Sequence, residues 1–471
     1  MEILGDILKS LLKLLEAISI LIAGYKADIL SLIFWIFLFW LCLKLFKIFR
    51  QAFLFYKNSL FKQGIEWILL EIKIPREVLK TPRAMEQFFK NIHSLRNAPG
   101  NFMETYSDGE VTLWWSLEII SLNGKIHFYI RTPKKHMKIV EAGLYAQYST
   151  VEIVEVKDYL DNFPNSTKEI YHQNKDIFGG EFYLGKENHF PINTYENFEL
   201  TKEELVLDPV SALIETLANI HKEEFVAIQI LIEPTGIEWR EEGEKYINKF
   251  TGRISKKLKS GWNSNIYEWA KNLFMAPTEP PVWSDWSEGK KEEKKDDMMM
   301  MFKLTPGEQE TIKAIENKIS KQGFEILIRF LYIAPKTIFN INFIRKGIIS
   351  VFNQYASQSL NFFKNNNIIE TWGRWYLFPY FSMSKRVEGK KQRLFYNFRN
   401  RLLPEKSPFG KFFTSHLSNF NNKSKTSILN VSELATIFHI PGEIVLTSPH
   451  IERTESKKMG PPAGLPIFEE E

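Results

Sequence analysis

The pattern of hydrophobic and polar positions is most distinctive between Ile29 and Phe49, which read ILSLIFWIFLFWLCLKLFKIF. Neither charge nor proline occurs from Ile29 to Leu43. About 20 helical residues cross the roughly 30 Å of a bilayer's hydrocarbon core. The long side chains of Lys44 and Lys47, which follow Leu43, can carry their charges to the headgroups. The pattern predicts a transmembrane helix at 27–50, whose anchoring residues include Ile29, Trp35, Trp40, Lys44 and Lys47.

A cleaved signal peptide is the alternative reading of this run. It fits less well, because the run begins late, is too long and is followed by bulky charged residues. Five basic residues follow Leu43 before the first acid, Glu66, whereas the bases that precede Ile29 are offset by acids. Because positive charge stays inside, we expect a single-pass protein of the inner membrane with everything after residue 50 in the cytoplasm.

Charged residues recur every three or four positions before the span, which predicts an amphipathic N-terminal helix at 1–26. The pattern after the span alternates in the order β-α-β-β-α-β over 51–160, with an Asn-Gly hairpin turn at Asn123-Gly124. This order is the ferredoxin-like, or split βαβ, plan. A second α+β module is predicted at 161–275.

The remaining segments complete the predicted organisation. Residues 276–301 combine prolines with alternating charge and are interpreted as a linker. A basic third α+β module is predicted at 302–430, followed by a C-terminal tail at 431–471. The helix-then-strand pattern of 208–232 recurs at 305–333, which indicates an internal duplication. The predicted fold class is therefore α+β, with a transmembrane helix followed by tandem ferredoxin-like modules whose antiparallel sheets carry helices on one face.

Composition supports a folded protein with unevenly distributed charge. The 471 residues are 44% hydrophobic and include 38 phenylalanines, which argues against disorder. The single cysteine, Cys42, excludes an intrachain disulfide and a cysteine-based zinc site. The formal net charge is +5, yet 141–301 carries 18 Lys and Arg against 30 Asp and Glu, while 302–430 carries 21 against 7. Such asymmetry suggests parts with different partners.

The sequence lacks the short motifs that carry common chemistry. It contains no GxxxxGK[ST] phosphate loop, no GxGxxG after a predicted strand, no HExxH and no GxSxG. The nine histidines are scattered, without paired metal-ligand spacing. We therefore expect no catalytic residues, no cofactor and no metal site. The alternative is a membrane-bound hydrolase or transferase whose site is built from dispersed residues.

A basic stretch from Arg374 to Lys425 alternates cations with aromatic residues. Lysine and arginine neutralise phosphates while aromatic faces stack on bases, so one reading is a nucleic-acid surface. A second reading places the aromatics in the core and the cations on a solvated face near anionic lipid, and a third is an acidic protein partner. The candidate nucleic-acid-binding residues are Arg374, Trp375, Lys385, Arg386, Lys390, Lys391, Arg393, Arg399 and Arg401.

Several segments together resemble the region that precedes the motor in membrane-anchored conjugative DNA-transfer ATPases, the coupling-protein class of type IV secretion. They are IPREVLKTPRAMEQFFKNIHSL (74–95), SLEIISLNGKIHFYIRTPKKHMKIVEAGLYAQYSTVEIVEV (116–156), DPVSALIETLANI (208–220), VAIQILIEP (226–234), LTPGEQETIKAIENKISKQGFEILIRFLYIA (304–334), LNVSELATIFHIPG (429–442) and SPHIERTESKKMGPPAGLPI (448–467). The resemblance covers about 65–467.

One departure from that family decides the expected function. In the family, the PP-x-x-LP segment leads into an ATPase core, whereas here Pro466 is followed by Ile467, Phe468 and three glutamates. The resemblance therefore implies a non-catalytic subunit of a translocation apparatus for DNA or protein, with the motor on a separate polypeptide or lost. The expected partners are the lipid bilayer and that motor ATPase, with DNA and a second copy of the chain as open alternatives.

Overall fold

A computed structural model describes residues 24, 26–75, 81–198, 208–251, 305–372, 383–407, 410–411, 423–442 and 453–454. The predicted linker at 276–301 and nearly all of the predicted helix at 1–26 lie outside these residues. The chain divides into two compact units. The first comprises 1–64, 99–111 and 405–415, and the second comprises 65–98, 112–404 and 416–471. These units differ from the predicted modules, because the segment 51–160 contributes to both.

The first unit contains α1, a continuous helix over Lys26–Gln63. The stretch from Leu30 to Gln63 is long and apolar enough to cross a membrane. Nearly all described side chains up to Arg50 are exposed, whereas most of those from Gln51 to Lys62 are partly covered. At 1.5 Å per residue, the helix is about 57 Å long, well beyond the thickness of a hydrocarbon core. The predicted span at 27–50 therefore corresponds to the uncovered part of a longer helix.

Two other segments of the first unit, 99–111 and the described residues 405–407 and 410–411, make contacts with the later part of α1, and we call them the collar. Its first segment holds a π-helical turn, Met103–Asp108, and the Lys57 ammonium donates to the Ser107 carbonyl at 2.8 Å. Its second segment supplies Glu405, whose carboxylate lies 2.8 Å from the Lys62 ammonium. Both contacts lie beyond the uncovered apolar part of the helix.

The second unit is organised around one sheet. Its strands are β1 (Trp67–Pro75), β2 (Trp115–Leu122), β3 (Lys125–Pro133), β4 (Glu152–Val156), β5 (Lys175–Leu184), β6 (Phe225–Pro234), β7 (Gly323–Pro335), β8 (Phe363–Asn365), β9 (Ser427–Asn430) and β10 (Arg453–Thr454). The main path runs β4-β1-β3-β2-β6-β7-β5-β8, with every neighbour antiparallel. β9 also pairs with β7, and β10 lies parallel to the end of β1.

Strand pairing joins segments that the sequence pattern assigned to three modules. β2 and β6 pair from Trp115 opposite Ile232 to Ser121 opposite Val226, which links the first segment to the second. β6 pairs in turn with β7 along ten residues, which links the second segment to the third. The predicted separate sheets are thus one continuous sheet in the described residues, antiparallel along its main path. Hydrophobic pattern alone could not reveal this, because an edge strand and a central strand of this kind read alike.

Helices cover both faces of the sheet, which corrects the expectation of helices on one face. The helices are α2 (Pro82–Ser94), α3 (Met137–Gln147), α4 (Thr167–His172), α5 (Ser211–Ala218), α6 (Arg240–Thr251), α7 (Pro306–Ser320), α8 (Ile341–Asn353), α9 (Met383–Arg399) and α10 (Val431–Ile437). Shorter turns are the 3₁₀ turns Lys134–His136 and Tyr159–Asn162 and the helical turn Tyr195–Phe198.

Ring contacts and buried clusters locate the helices on the two faces. Phe89 of α2 meets Phe324, and Phe352 of α8 stacks on Phe182 at 4.4 Å, on one face. On the opposite face α9 inserts its apolar side chains into a cluster with the sheet, formed by Leu394, Phe395 and Phe398 with Leu69, Ile120, Tyr129, Phe225, Leu331 and Ile333. Because both faces are covered, β6 and β7 are buried almost throughout.

Local signals in the sequence produce several of these boundaries. Asn123 and Gly124 have φ of 54° and 76°, the left-handed pair that a tight hairpin turn requires, so the predicted turn is confirmed. Thr305 and Glu308 form a reciprocal capping box at the start of α7. Pro133 ends β3, and the 3₁₀ turn Lys134–His136 intervenes before α3 begins.

Candidate functional site

A row of polar side chains crosses the centre of the sheet on the face that α9 covers. Glu118 of β2 lies opposite Gln229 of β6, which lies opposite Arg329 of β7, and Arg329 in turn lies opposite Glu181 of β5. Opposed residues in a sheet point to the same face, so four neighbouring strands present these side chains side by side. All four are at most 1% exposed. The row is thus a built feature of the interior.

The row binds the carboxyl end of α9. Arg329 Nη1 donates to the Asn397 carbonyl at 3.2 Å, and Gln229 Nε2 donates to the Phe398 carbonyl at 3.1 Å. The last carbonyls of a helix lack intrahelical donors and carry partial negative charge. A buried cation and a buried amide therefore add to the backbone hydrogen bonds that these two carbonyls accept from Leu402 and Arg401.

Arg401 returns from the end of α9 to the same row. Its backbone is left-handed, with φ of 49°, which is uncommon for a residue other than glycine. Its Nε donates to Glu118 Oε1 at 2.8 Å, and its Nη2 lies 3.2 Å from Glu118 Oε2 and 3.0 Å from Asp158 Oδ1. Nη1 also bonds Asp158 Oδ2. One guanidinium thus joins β2 to the turn after β4.

The electrostatics of Glu118 follow from these contacts. Burial alone would raise the pKa of Glu118, but the Arg401 guanidinium and the hydroxyls of Ser116 and Tyr159 lower that pKa to about 2. The Ser116 hydroxyl donates to Glu118 Oε1 at 2.6 Å, and the Tyr159 hydroxyl donates to Glu118 Oε2 at 2.8 Å. Glu118 is therefore an anion with its oxygens occupied by internal donors. Such a group stabilises a fold and has no oxygen left for proton transfer to a substrate.

Glu181 is occupied in the same way at the far end of the row. Arg329 Nε donates to Glu181 Oε1 at 2.8 Å, and both side chains are 1% exposed. The Ser424 hydroxyl donates to the other carboxylate oxygen. The chemistry of the row is thus structural: it fixes the strand register and holds α9 on the sheet.

Four of the candidate nucleic-acid-binding residues make contacts inside the fold. Lys390 is buried and its ammonium donates to the Glu370 carbonyl at 3.3 Å, and Arg401 is buried in the row. Lys391 pairs with Asp176 at 2.6 Å. Arg399 Nη1 donates to the Leu160 and Phe163 carbonyls. These four cations serve internal contacts, which leaves them poorly placed to contact phosphates.

The other candidates differ in their surroundings. Lys385 is exposed and Arg386 is partly exposed on the first turn of α9. Arg393 lies over the Tyr396 ring at 5.9 Å, and burial lowers its pKa. Arg374 and Trp375 lie outside the described residues.

The membrane-anchor candidates all lie on α1. Trp35 and Trp40 are 63% and 52% exposed, and Lys44 lies over the Trp40 ring at 5.3 Å. Lys47 is also exposed, and Ile29 lies near the start of the helix. All five residues thus lie on one helix, and their anchoring role stays a prediction.

A cleft of about 550 Å³ opens beside the polar row. Its lining includes Trp67, Arg131, Lys157, Asp158 and Asp161. The Arg131 guanidinium stacks on Trp67, 4.3 Å from the ring centroid, and Trp67 packs on Trp114 at 4.9 Å. Within the described part of the chain no group of His, Cys, Asp and Glu residues is arranged to hold a metal ion.

Sequence reasoning missed both the row and the cleft. Glu118, Gln229 and Arg329 each stand within a hydrophobic strand, where a polar residue facing a covered surface must find a partner. A polar residue within a hydrophobic strand could have been identified in the sequence as one that needs a buried partner. The sequence could not have paired these residues with one another, because the register between β2, β6 and β7 depends on long-range strand pairing.

Comparison with known proteins gives one result that covers most of the chain. The family described as a domain of unknown function, DUF8128, matches residues 56–393, from the later part of α1 into α9. No curated protein matches the chain. Since the match spans well over half of the 471 residues, this chain belongs to the DUF8128 family.

Proposed function

We propose that the chain is a membrane-anchored, non-catalytic subunit of a type IV secretion-like or conjugative translocation apparatus, and that it docks a cytoplasmic ATPase at the inner membrane. The observation that carries the proposal is α1, whose uncovered apolar stretch continues without a break into a covered one. An exposed apolar stretch of about 20 residues is unfavourable in water and favourable in lipid. The translocation apparatus and the motor ATPase are inferred from the resemblance to the coupling-protein class of type IV secretion.

The internal pairing of the buried polar groups is consistent with a scaffold protein rather than with an enzyme. The carboxylates and cations of the polar row are satisfied by one another and by the end of α9. Catalytic groups, in contrast, must reach a substrate in a cleft. This contrast favours an assembly role over the alternative of a membrane-bound hydrolase or transferase.

The sheet order supports a duplicated ferredoxin-like platform as part of this proposal. Numbered within each half, the strands run 4-1-3-2 from β4 to β2, and 4-1-3-2 again from β8 to β6. The halves meet edge to edge where β2 pairs with β6. On this reading two split βαβ repeats form one sheet, with α6, α7 and the residues between them inserted in the second repeat. Closing one edge of each repeat against the other removes two exposed strand edges.

Membrane extraction and copurification test the proposal together. We expect the full chain to stay in the membrane fraction after alkaline carbonate treatment, with the body digestible by protease only from the cytoplasmic side. Affinity purification from solubilised membranes should recover a phosphate-loop ATPase, identified by mass spectrometry, while the purified chain alone should not hydrolyse ATP. Release by carbonate would refute the anchor. ATP hydrolysis sensitive to substitutions in this chain would refute the non-catalytic role.

A further inference from the structure

The cleft beside the polar row contains a guanidinium with unused hydrogen-bond donors. Arg131 of β3 is partly buried and stacks on Trp67. Within the described residues its guanidinium makes neither a hydrogen bond nor an ion pair within 4 Å, although Arg401 nearby makes several. Guanidinium groups present five donors, and leaving them unpaired in a partly buried position is costly. The donors of Arg131 are therefore available to an acceptor that enters the cleft.

The charges around Arg131 favour an anion as that acceptor. Burial, and next the positive charge of Arg401, lower the pKa of Arg131 to about 10 despite the opposing effect of the Glu118 and Asp158 carboxylates, so its charged form is less stable there than in water. An anion in the cleft would restore the lost stabilisation. Lys157 lines the same cleft and supplies a second cation.

Of the three acids that line the cleft, Asp158 is firmly paired and Asp161 lies near another cation. Asp158 is bonded by two nitrogens of Arg401. Asp161 lies 3.9 Å from Arg399. Glu155 is exposed at the rim. Repulsion of an incoming anion is thus reduced where Arg131 presents its donors.

We propose that this cleft binds a phosphate group, held by the fork of Arg131 donors with Lys157 as a second contact and Trp67 as the supporting wall. Arginine matches phosphate through paired, charge-assisted hydrogen bonds, while lysine acts as a point charge. A cavity of about 550 Å³ lies within the usual range for small-molecule sites. The phosphate can belong to a soluble phosphomonoester or to a lipid headgroup, since both present at least two anionic, non-bridging phosphate oxygens to Arg131.

Calorimetric titration of the full chain in maltoside micelles tests this site. One arm uses inorganic phosphate and glycerol 3-phosphate, and the other uses a short-chain phosphatidylglycerol, each at constant ionic strength with chloride as the reference anion. Binding in the first arm identifies a soluble phosphomonoester, and binding in the second alone identifies a headgroup. Arg131→Gln should lower the affinity by about tenfold or more, equivalent to roughly 1.4 kcal/mol.

Three further variants keep the test decisive. Arg131→Lys retains the charge without the fork and should bind with intermediate affinity. Lys157→Gln changes an exposed side chain and should weaken binding about two- to fivefold without unfolding the protein. Arg83→Gln, on an exposed position of α2, is the matched control and should leave affinity unchanged. Absence of binding in both arms, or binding that is indifferent to Arg131→Gln and Lys157→Gln, would overturn the proposal.

Discussion

At the scale of residues, the structure depends on polar groups placed where the sequence looks purely hydrophobic. Glu118 and Arg401 are separated by 283 positions and are each at most 1% exposed. A buried pair of this kind adds little net stability relative to apolar residues, but removal of one partner leaves an uncompensated buried charge. The left-handed backbone of Arg401 adds a local cost of about 1–2 kcal/mol, so its contacts must offset strain as well as desolvation.

Single substitutions in this pair should therefore be severe. We expect Arg401→Met or Glu118→Gln to lower the free energy of unfolding by about 3–5 kcal/mol, measured by denaturant titration in maltoside. The double variant should lose less than the sum of the two. Lys385→Met, on an exposed position of α9, should change stability by no more than about 0.5 kcal/mol. Simple additivity of the two single effects would contradict the coupling.

The depressed pKa of Glu118 predicts a specific acid sensitivity. The unperturbed pKa is 4.5 and the folded value is about 2. Because the folded value is the lower one, the contribution of Glu118 is fully present above pH 4.5 and is lost as the pH falls toward 2. Stability of the wild-type protein should fall through this window, and the fall should be smaller in Glu118→Gln. Equal pH profiles for the two proteins would show that Glu118 is not responsible.

At the scale of elements, the sequence allowed the helices and strands to be predicted better than their partners. The strand over 67–75, the Asn-Gly turn and the capping box at Thr305 follow from local signals, and each is present. The pairing of β2 with β6 and the cover provided by α9 do not follow, because they depend on register and on tertiary packing. Charge was also a poor guide to exposure: Lys390 of α9 and Arg401, just beyond its end, look like surface cations in sequence but have internal partners.

The collar on α1 gives a prediction at this scale. Gly109 has φ of 67°, and a Cβ atom there would lie 2.5 Å from the backbone of Lys57. Gly109→Ala should therefore strain the turn and push the collar from the helix, at a cost of about 1–3 kcal/mol. Limited proteolysis should detect faster cleavage within 99–111. Gly100→Ala is the control, because its nearest neighbour would lie at 3.9 Å. Unchanged cleavage in Gly109→Ala would rule out close packing at this position.

At the scale of the whole molecule, charge and exposure separate the available surfaces from the internal contacts. The segment 302–430 carries a large excess of cations, yet several of them are engaged within the fold. The exposed apolar part of α1 and the cleft at Arg131 remain directed outward in the described residues. The proposed membrane anchoring uses the exposed part of α1, and the proposed phosphate binding uses the cleft at Arg131. Nucleic-acid binding, the alternative, would require exposed cations.

That alternative leads to a prediction for the full chain in micelles. If the basic stretch binds DNA, affinity should be independent of sequence and should fall with salt by about 0.7–0.9 log units per log unit of salt for each phosphate contacted. Replacing both Lys385 and Arg386 by Ala should reduce this slope, and Lys385→Ala alone should leave stability unchanged, since its side chain is exposed. Lys390→Ala is the contrasting variant, because removal of its buried ammonium should destabilise α9 instead. Fluorescence anisotropy with labelled single-stranded DNA at several salt concentrations measures the slopes. Binding that is absent at low salt, or a slope that the double variant leaves unchanged, would exclude this surface as a nucleic-acid site.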